Sequence, residues 1–193
     1  ADAVIELSKE ITECNKESGL HIQLIKDEPK AFGGFMAKYG SFRNVKNYIA
    51  LVGPKDTTLD EKCGYYGERI VIRAQQLGLN TCWVAMSFSR GKAGCAVGEG
   101  EKLTLVIALG YGEVPGQAHP SKPIEKLCRV SGAMPEWFRS GMNTAILGPT
   151  AMNQQHFLFT LEDSNKVKAE STGGAYSNVD LGIVKYHFEI GAE

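Results

Sequence analysis

Two nearly unbroken apolar runs, Asn47 to Gly53 (NYIALVG) and Leu103 to Leu109 (LTLVIAL), leave this chain few ways to fold. A strand with one wet face alternates apolar and polar residues, whereas a run without alternation is a strand covered on both faces. Each run is closed by a turn: Gly53-Pro54 after the first, Gly110-Tyr111-Gly112 after the second. Between them Cys63, Tyr66, Ile70, Ala74 and Leu77 mark one face of a helix ended by Gly78, and Thr58 and Glu61 stand ahead of it at capping-box spacing. Buried strands with helices against them predict an α+β fold, a central mixed or antiparallel sheet flanked by helices.

The rest of the chain fills in around that frame. Val4, Leu7, Ile11 and Cys14 recur at helical spacing and predict an amphipathic helix from Ala3 to Cys14. His21 to Ile25 is a short β-prone run ended by the polar turn Lys26 to Pro29; Ala31 to Phe42 reads as loop or short helix. Thr81 to Phe88 is β-prone, Ser89 to Gly100 is a glycine-bearing loop, and Glu113 to Pro123 is an extended connection. Past Ser131, a helix containing Trp137, Phe138 and Ile146 leads to a strand, Phe157 to Leu161. At the C-terminus Val184, Tyr186, Phe188 and Ile190 alternate like a strand, while Leu181, Val184 and Phe188 fit a helix; helix is the expectation. Setting His156 against His21 brings a helix, a seven-residue connection and an apolar strand into register twice. An internal duplication follows as an expectation: a single domain over 1–193, with half-repeats of roughly 1–130 and 131–193 sharing one core.

Composition narrows the function. The 193 residues suffice for a substantial core, and 21 basic against 22 acidic residues, with no basic face, point away from nucleic acid. Five cysteines lie scattered without a C-x-x-C pair, which disfavours a disulfide framework or a structural zinc site and predicts reduced thiols in a cytoplasmic setting. No apolar run approaches the ~20 residues of a membrane span. The four histidines are dispersed, so no metal site is expected. The sequence also lacks an H-E-x-x-H motif, a P-loop and a nucleophile elbow, and Gly110-Tyr111-Gly112 lacks the third glycine of a dinucleotide fingerprint.

One stretch carries more polar chemistry than its surroundings. Pro149 to Phe157 (PTAMNQQHF) sets a rigid residue, a hydroxyl and two amides before an apolar strand. Asn153 and Gln155 each offer a donor and an acceptor, as a flat heterocycle with alternating N–H and C=O edges requires. The same residues also fit an ordinary polar loop between helix and strand.

Taken in order, Gly67 to Phe88 (GERIVIRAQQLGLNTCWVAMSF), Leu105 to Gly112 (LVIALGYG) and Lys122-Pro123-Ile124-Glu125 resemble the FMN-dependent nitroreductase family. The 149–157 stretch resembles that family's P-S-x-x-N-x-Q-P-W flavin-edge motif, here placed near the C-terminus. In most members this motif reaches the flavin from the other subunit of a homodimer. The layout therefore resembles the subgroup in which one duplicated chain mimics that dimer, and the resemblance implies either such a monomer or a homodimer.

The resemblance also implies residue roles. Pro149, Thr150, Asn153 and Gln155 would contact the flavin edge, and Trp83, Val84 and Ala85 would present a backbone N–H towards N5. Without the resemblance, periodicity alone favours reading Trp83 and Val84 as core strand residues. Ser121 and Lys122 would lie near the FMN phosphate, although Lys122 alone reads as a surface lysine, and Arg43 would sit near flavin N1 and O2. The family's N-terminal R-x-S-x-R arm has no counterpart here: either it precedes Ala1, where a helical pattern is already running, or the protein binds FMN weakly or not at all. The activity implied is transfer of hydride from NAD(P)H through FMN to a nitroaromatic, a quinone or a similar small-molecule acceptor, with no protein nucleophile. The other reading is a flavin-binding or sensing protein of the same fold without turnover.

Overall fold

The computed structural model describes residues 2–35, 40, 42–113, 116–163 and 165–193. They form two compact units: Ala1–Leu59 with Arg69–Gly116, and Asp60–Glu68 with Gln117–Glu193. The expected α+β class holds.

The first unit is built on an antiparallel sheet of β1 (Gln23–Ile25), β2 (Asn47–Pro54), β3 (Asn80–Val84) and β4 (Glu101–Gly110), in the order β1-β2-β4-β3. The two apolar runs are the central pair, with Ile49 opposite Ile107 and Ala50 opposite Val106. Tyr48, Ala50, Val52, Val84, Val106 and Ala108 pack on one face with Ala31, Phe32 and Phe88. The intervening Ile49, Leu51 and Ile107 point the other way and are fully buried as well. Helix α1 (Asp2–Ser18) buries Leu7, Ile11 and Cys14, and stops where Gly19 turns left-handed at φ 71°. Its polar face is tied to Arg69 and Arg73: Arg69 Nε meets Glu10 at 2.6 Å, Arg69 Nη1 meets Glu17 at 2.8 Å and Arg73 meets Glu6 at 3.1 Å.

Both arginines lie on α2 (Leu59–Gln76), whose residues 60–68 belong to the second unit. The capping box expected at its start does not form. Thr58 donates its hydroxyl and its backbone N–H to Asp56 Oδ1, at 2.8 and 2.7 Å, and its side chain makes no cap bond to the helix. Its backbone is already helical, at φ −99° and ψ −8°, rather than in the extended conformation from which an N-cap side chain accepts from the first turn.

The second unit carries β5 (Cys128–Val130), β6 (Phe157–Asp163) and β7 (Lys166–Ser171); β6 pairs parallel with β5 and antiparallel with β7. Helices α3 (Glu136–Ala145) and α4 (Ser177–Ala192) complete it, so the C-terminal stretch is the expected helix. Ile146 is the C-cap of α3 rather than part of it. Phe138, Met142, Phe157, Phe159, Val184 and Phe188 form the core, with the Phe159 and Phe188 rings stacked at 4.7 Å. Residues 60–68 pack on α4 through two glycines. A Cβ on Gly64 would lie 2.0 Å from Val179 O, and one on Gly182 would lie 2.0 Å from Glu61 O, so backbone meets backbone. Polar pairs flank this crossing: Lys185 with Glu61 at 2.5 Å, His187 with the buried Glu68 at 2.8 Å, and the Tyr65 hydroxyl donating to Glu189. Among the described residues no helix is long and apolar enough to cross a membrane.

Candidate functional site

Six of the ten expected site residues come together in the second unit. The segment 149–155 is a tight turn containing a short 3-10 stretch, Ala151–Asn153. Met152, Asn153 and Gln155 all adopt positive φ, at 51°, 52° and 48°. Such a backbone costs roughly 1–2 kcal/mol for each residue bearing a Cβ, less for asparagine, and persists only where surrounding bonds over-determine it.

Those bonds come from a segment far away in sequence. Gln155 is 3% exposed, and its amide is committed to the protein. Its Oε1 accepts from Lys122 N at 2.7 Å, and its Nε2 donates to Pro120 O at 2.9 Å and Asn153 Oδ1 at 2.8 Å. Asn153 Nδ2 donates to the same Pro120 carbonyl at 2.9 Å. Lys122 Nζ donates to Gln154 O at 2.6 Å and Gln155 O at 3.1 Å, while Ser121 Oγ donates to Ile146 O at 3.0 Å. The extended 120–122 segment is thus stitched to the turn residue by residue. Thr150 Oγ1 accepts from Gln155 N at 3.1 Å, closing the turn on itself.

A residue that sequence reasoning passed over holds the turn from beneath. Asp180, on α4, is 3% exposed and accepts from Ala151 N at 2.9 Å and Gln154 Nε2 at 2.8 Å. Burial raises its carboxyl above the ordinary value, and the hydrogen bonds from Gln154 and Ala151 offset part of that rise. The signal was an acid inside the apolar stretch Val179-Asp180-Leu181 of a helix, where a charge needs a partner. Gln154 also donates to Ala175 O at 2.7 Å, tying the turn to the loop before α4.

After these bonds are counted, a defined set of polar groups remains unspent among the described residues. Thr150 keeps its O–H, Asn153 one amide hydrogen and one lone pair on Oδ1, and Lys122 its third N–H. Gln155 has the role of a support. Pro149 and Thr150 are half-buried, and Met152, 84% exposed, stands at the tip.

The other four expected residues belong to the first unit. Trp83 and Val84 lie on β3, which pairs with β4 alone among the described residues, so alternate N–H groups face away from the ladder. The Val84 side chain is in the core. Ala85 follows the strand, and its carbonyl accepts from Arg90 Nη2 at 3.3 Å. Arg43 is exposed and lines a groove of the same unit.

The sequence model of the family described as "Putative TM nitroreductase" matches residues 1–192. The crystal structure of a "putative nitroreductase" from Thermotoga maritima superposes with a TM-score of 0.60 at 20% identity, covering 88% of this chain and 64% of that one. This chain therefore spans less than two thirds of the Thermotoga maritima protein. An "FMN-dependent Nitroreductase" from Clostridium difficile gives a TM-score of 0.42 at 16% identity over 58% of this chain and 80% of that one. A "Putative NADH dehydrogenase/NAD(P)H nitroreductase" from Bacteroides thetaiotaomicron gives 0.44 at 17% identity, over 62% and 82% respectively. No curated protein matches the chain. With a family match over residues 1–192 and an α+β fold like that of the Thermotoga maritima structure, the chain belongs to the "Putative TM nitroreductase" family.

Proposed function

We propose that this oxidoreductase-family chain binds FMN and transfers hydride from NAD(P)H to a nitroaromatic, a quinone or a similar small acceptor. The observation that carries the proposal is the donor and acceptor set left unspent on the 149–155 turn. The pyrimidine edge of a flavin alternates C=O, N–H and C=O, and an amide with one donor and one acceptor still available matches two neighbouring positions of it. Asn153 has that pair, and the Thr150 hydroxyl and Lys122 N–H add donors for the carbonyl oxygens. The residues present fit the cofactor.

Bound FMN supplies a two-electron carrier that accepts and returns hydride at N5. The chain's own part is positioning. Gln155 and Asp180 lock the turn from two sides, so Asn153 and Thr150 meet a ligand already oriented, and little side-chain entropy remains to be lost on binding. Lys122, anchored through two carbonyls, adds positive charge that favours an anionic cofactor, with Ser121 beside it as a further hydroxyl.

The test is a titration of the protein with FMN, followed by visible absorbance and flavin fluorescence. Asn153→Ala and Thr150→Val should each weaken binding by about tenfold, roughly the net worth of one hydrogen bond. Anaerobic NADH or NADPH should then bleach the bound flavin. Saturable binding without bleaching would leave a flavin-binding protein rather than an enzyme. Absence of saturable FMN binding would overturn the proposal.

A further inference from the structure

The sheet of the first unit ends in a groove of about 730 Å³ where β2 and β3 begin and β4 ends. The register puts these ends side by side, Asn47 opposite Leu109 and Asn80 opposite Gly110. The groove's polar lining includes one cation, Arg43, and two amides oriented by the backbone. Asn80 Oδ1 accepts from Gly112 N at 2.8 Å, which fixes the orientation of the amide and occupies one of the oxygen's two lone pairs; its amino group has no acceptor among the described residues. Asn47 Oδ1 is used in the same way by Asp27 N at 3.1 Å. Arg43 is exposed, with neither ion-pair nor hydrogen-bond partner among the described residues. Oriented amides with free amino groups, and a guanidinium without a partner among the described residues, give the groove donors and positive charge to offer a ligand.

The apolar part of the lining is flat. Phe42 is braced edge-on against Phe32 at 5.2 Å, and Tyr111 lies 80% exposed at the rim, a large ring with little of the protein against it. Glu113 is the one acid of the lining and stands exposed.

We propose that this groove is a binding site for a planar aromatic carboxylate. The ring system lies against Phe42 and Tyr111, the carboxylate takes the Arg43 guanidinium, and the Asn80 amino group donates to an oxygen of the ligand. A neutral ring would leave Arg43 and Asn80 unanswered, and a small inorganic anion would leave the aromatic wall uncovered. Glu113 opposes the ligand's charge, so the site favours a single negative charge over several. Arg43, which the family resemblance placed near flavin N1 and O2, is here assigned to the groove's own ligand.

Calorimetric titration of the full chain with 2-naphthoate, and with neutral 2-naphthamide as its isostere, tests it. Naphthoate should bind with one-to-one stoichiometry and about tenfold more tightly than the amide, the difference that one charge-assisted bond supplies. Arg43→Gln should erase that difference. Asn80→Asp keeps the oxygen that Gly112 N needs but replaces the donor with a negative oxygen, and should weaken naphthoate by about tenfold or more. Glu113→Gln should tighten it a few fold. Circular dichroism checks that each variant is folded, and the exposed Arg43 and Glu113 keep the test decisive if Asn80→Asp is not. Equal binding of the two probes, insensitivity to Arg43→Gln, or no saturable binding would each overturn the proposal. So would displacement of naphthoate by an equimolar amount of FMN, since the groove would then be a flavin site.

Discussion

Replacing Asp180 tests how the 149–155 turn keeps its left-handed backbone. The carboxylate is 3% exposed and serves two donors, Ala151 N and Gln154 Nε2. Alanine strands Ala151 N–H, at roughly 1–3 kcal/mol for a buried donor without a partner. Gln154 loses less, because Ala175 O still accepts from its Nε2. Removing a carboxyl that burial disfavours gives some of the loss back, offsetting the smaller loss at Gln154, and the expected net cost is about 1–3 kcal/mol. Asparagine keeps one acceptor and sets an amino group against the other donor, for about 1 kcal/mol. The pH dependence has a definite sign. Burial, partly offset by the two hydrogen bonds, raises the folded pKa of Asp180 above the ordinary 3.8, so the native state binds this proton more tightly than the unfolded chain does. Its contribution to stability is complete below the unfolded value and is lost as pH rises through the raised folded one. The stability of the parent relative to Asp180→Asn should therefore be greatest at the acid end and fall with rising pH. Urea unfolding in a Trp83→Phe background, where Trp137 is the remaining tryptophan and lies in the second unit, reads both quantities. A relative stability that is flat with pH, or that grows towards neutrality, refutes the burial argument. A loss below about 0.5 kcal/mol in Asp180→Ala refutes the dependence of the turn on this residue.

Gly182→Ala places a methyl 2.0 Å from Glu61 O and 2.6 Å from Tyr65 N. Overpacking against backbone should cost about 3 kcal/mol, a fall of roughly 6–12 °C in thermal midpoint, and an unchanged midpoint would show that the helices part freely. Tyr48, fully buried, donates to Glu28 at 2.9 Å and accepts from Gly94 N at 2.8 Å, and burial pushes its hydroxyl up to about 12. Tyr48→Phe should cost roughly 1–3 kcal/mol in urea unfolding followed by Trp83 fluorescence, and a neutral result would show that neither bond matters. Burial likewise pushes the Cys14 thiol up to about 12 and raises that of Cys82 as well, but Cys82 has surface open to solvent and Cys14 has none. Mass spectrometry after brief treatment with a thiol reagent should find Cys82 modified and Cys14 untouched until the chain unfolds; equal labelling contradicts the packing of α1.

The apolar runs that became β2 and β4 were legible because a strand buried on both faces has no polar residue to disguise it. The helix between them was legible from its spacing, but its start was not: Thr58 already has a helical backbone and its hydroxyl donates to Asp56, so the capping pattern is present in sequence without the cap. The turn at Pro149 to Gln155 could be located, and the division of labour inside it could not. Asn153 and Gln155 look alike in sequence, yet burial commits Gln155 to Pro120 and Lys122 while leaving Asn153 a donor and an acceptor. That difference depends on contacts 33 to 35 residues away, which no local pattern carries. Asp180 was hidden for the same reason, since its two partners lie 26 and 29 residues before it. The asparagines of the groove were illegible too: whether an amide offers an oxygen or an amino group depends on which one the backbone has already taken.

The glycine crossing between residues 60–68 and α4 also sets a timetable for synthesis. The partners that flank it, Glu61 with Lys185, Tyr65 with Glu189 and Glu68 with His187, are 119 to 124 residues apart in the chain. At translation rates of about 5–20 residues per second, residues 60–68 leave the ribosome roughly 6–25 s before the helix that will cover them. For that interval Gly64 presents a bare strip of backbone, flanked by the acids Glu61 and Glu68, with nothing from its own unit to receive it. Two carboxylates on a waiting helix face keep it hydrated and discourage premature association with another nascent chain. When α4 arrives, Lys185 and His187 meet those same acids, so the groups that kept the early segment soluble become the ones that align its late partner.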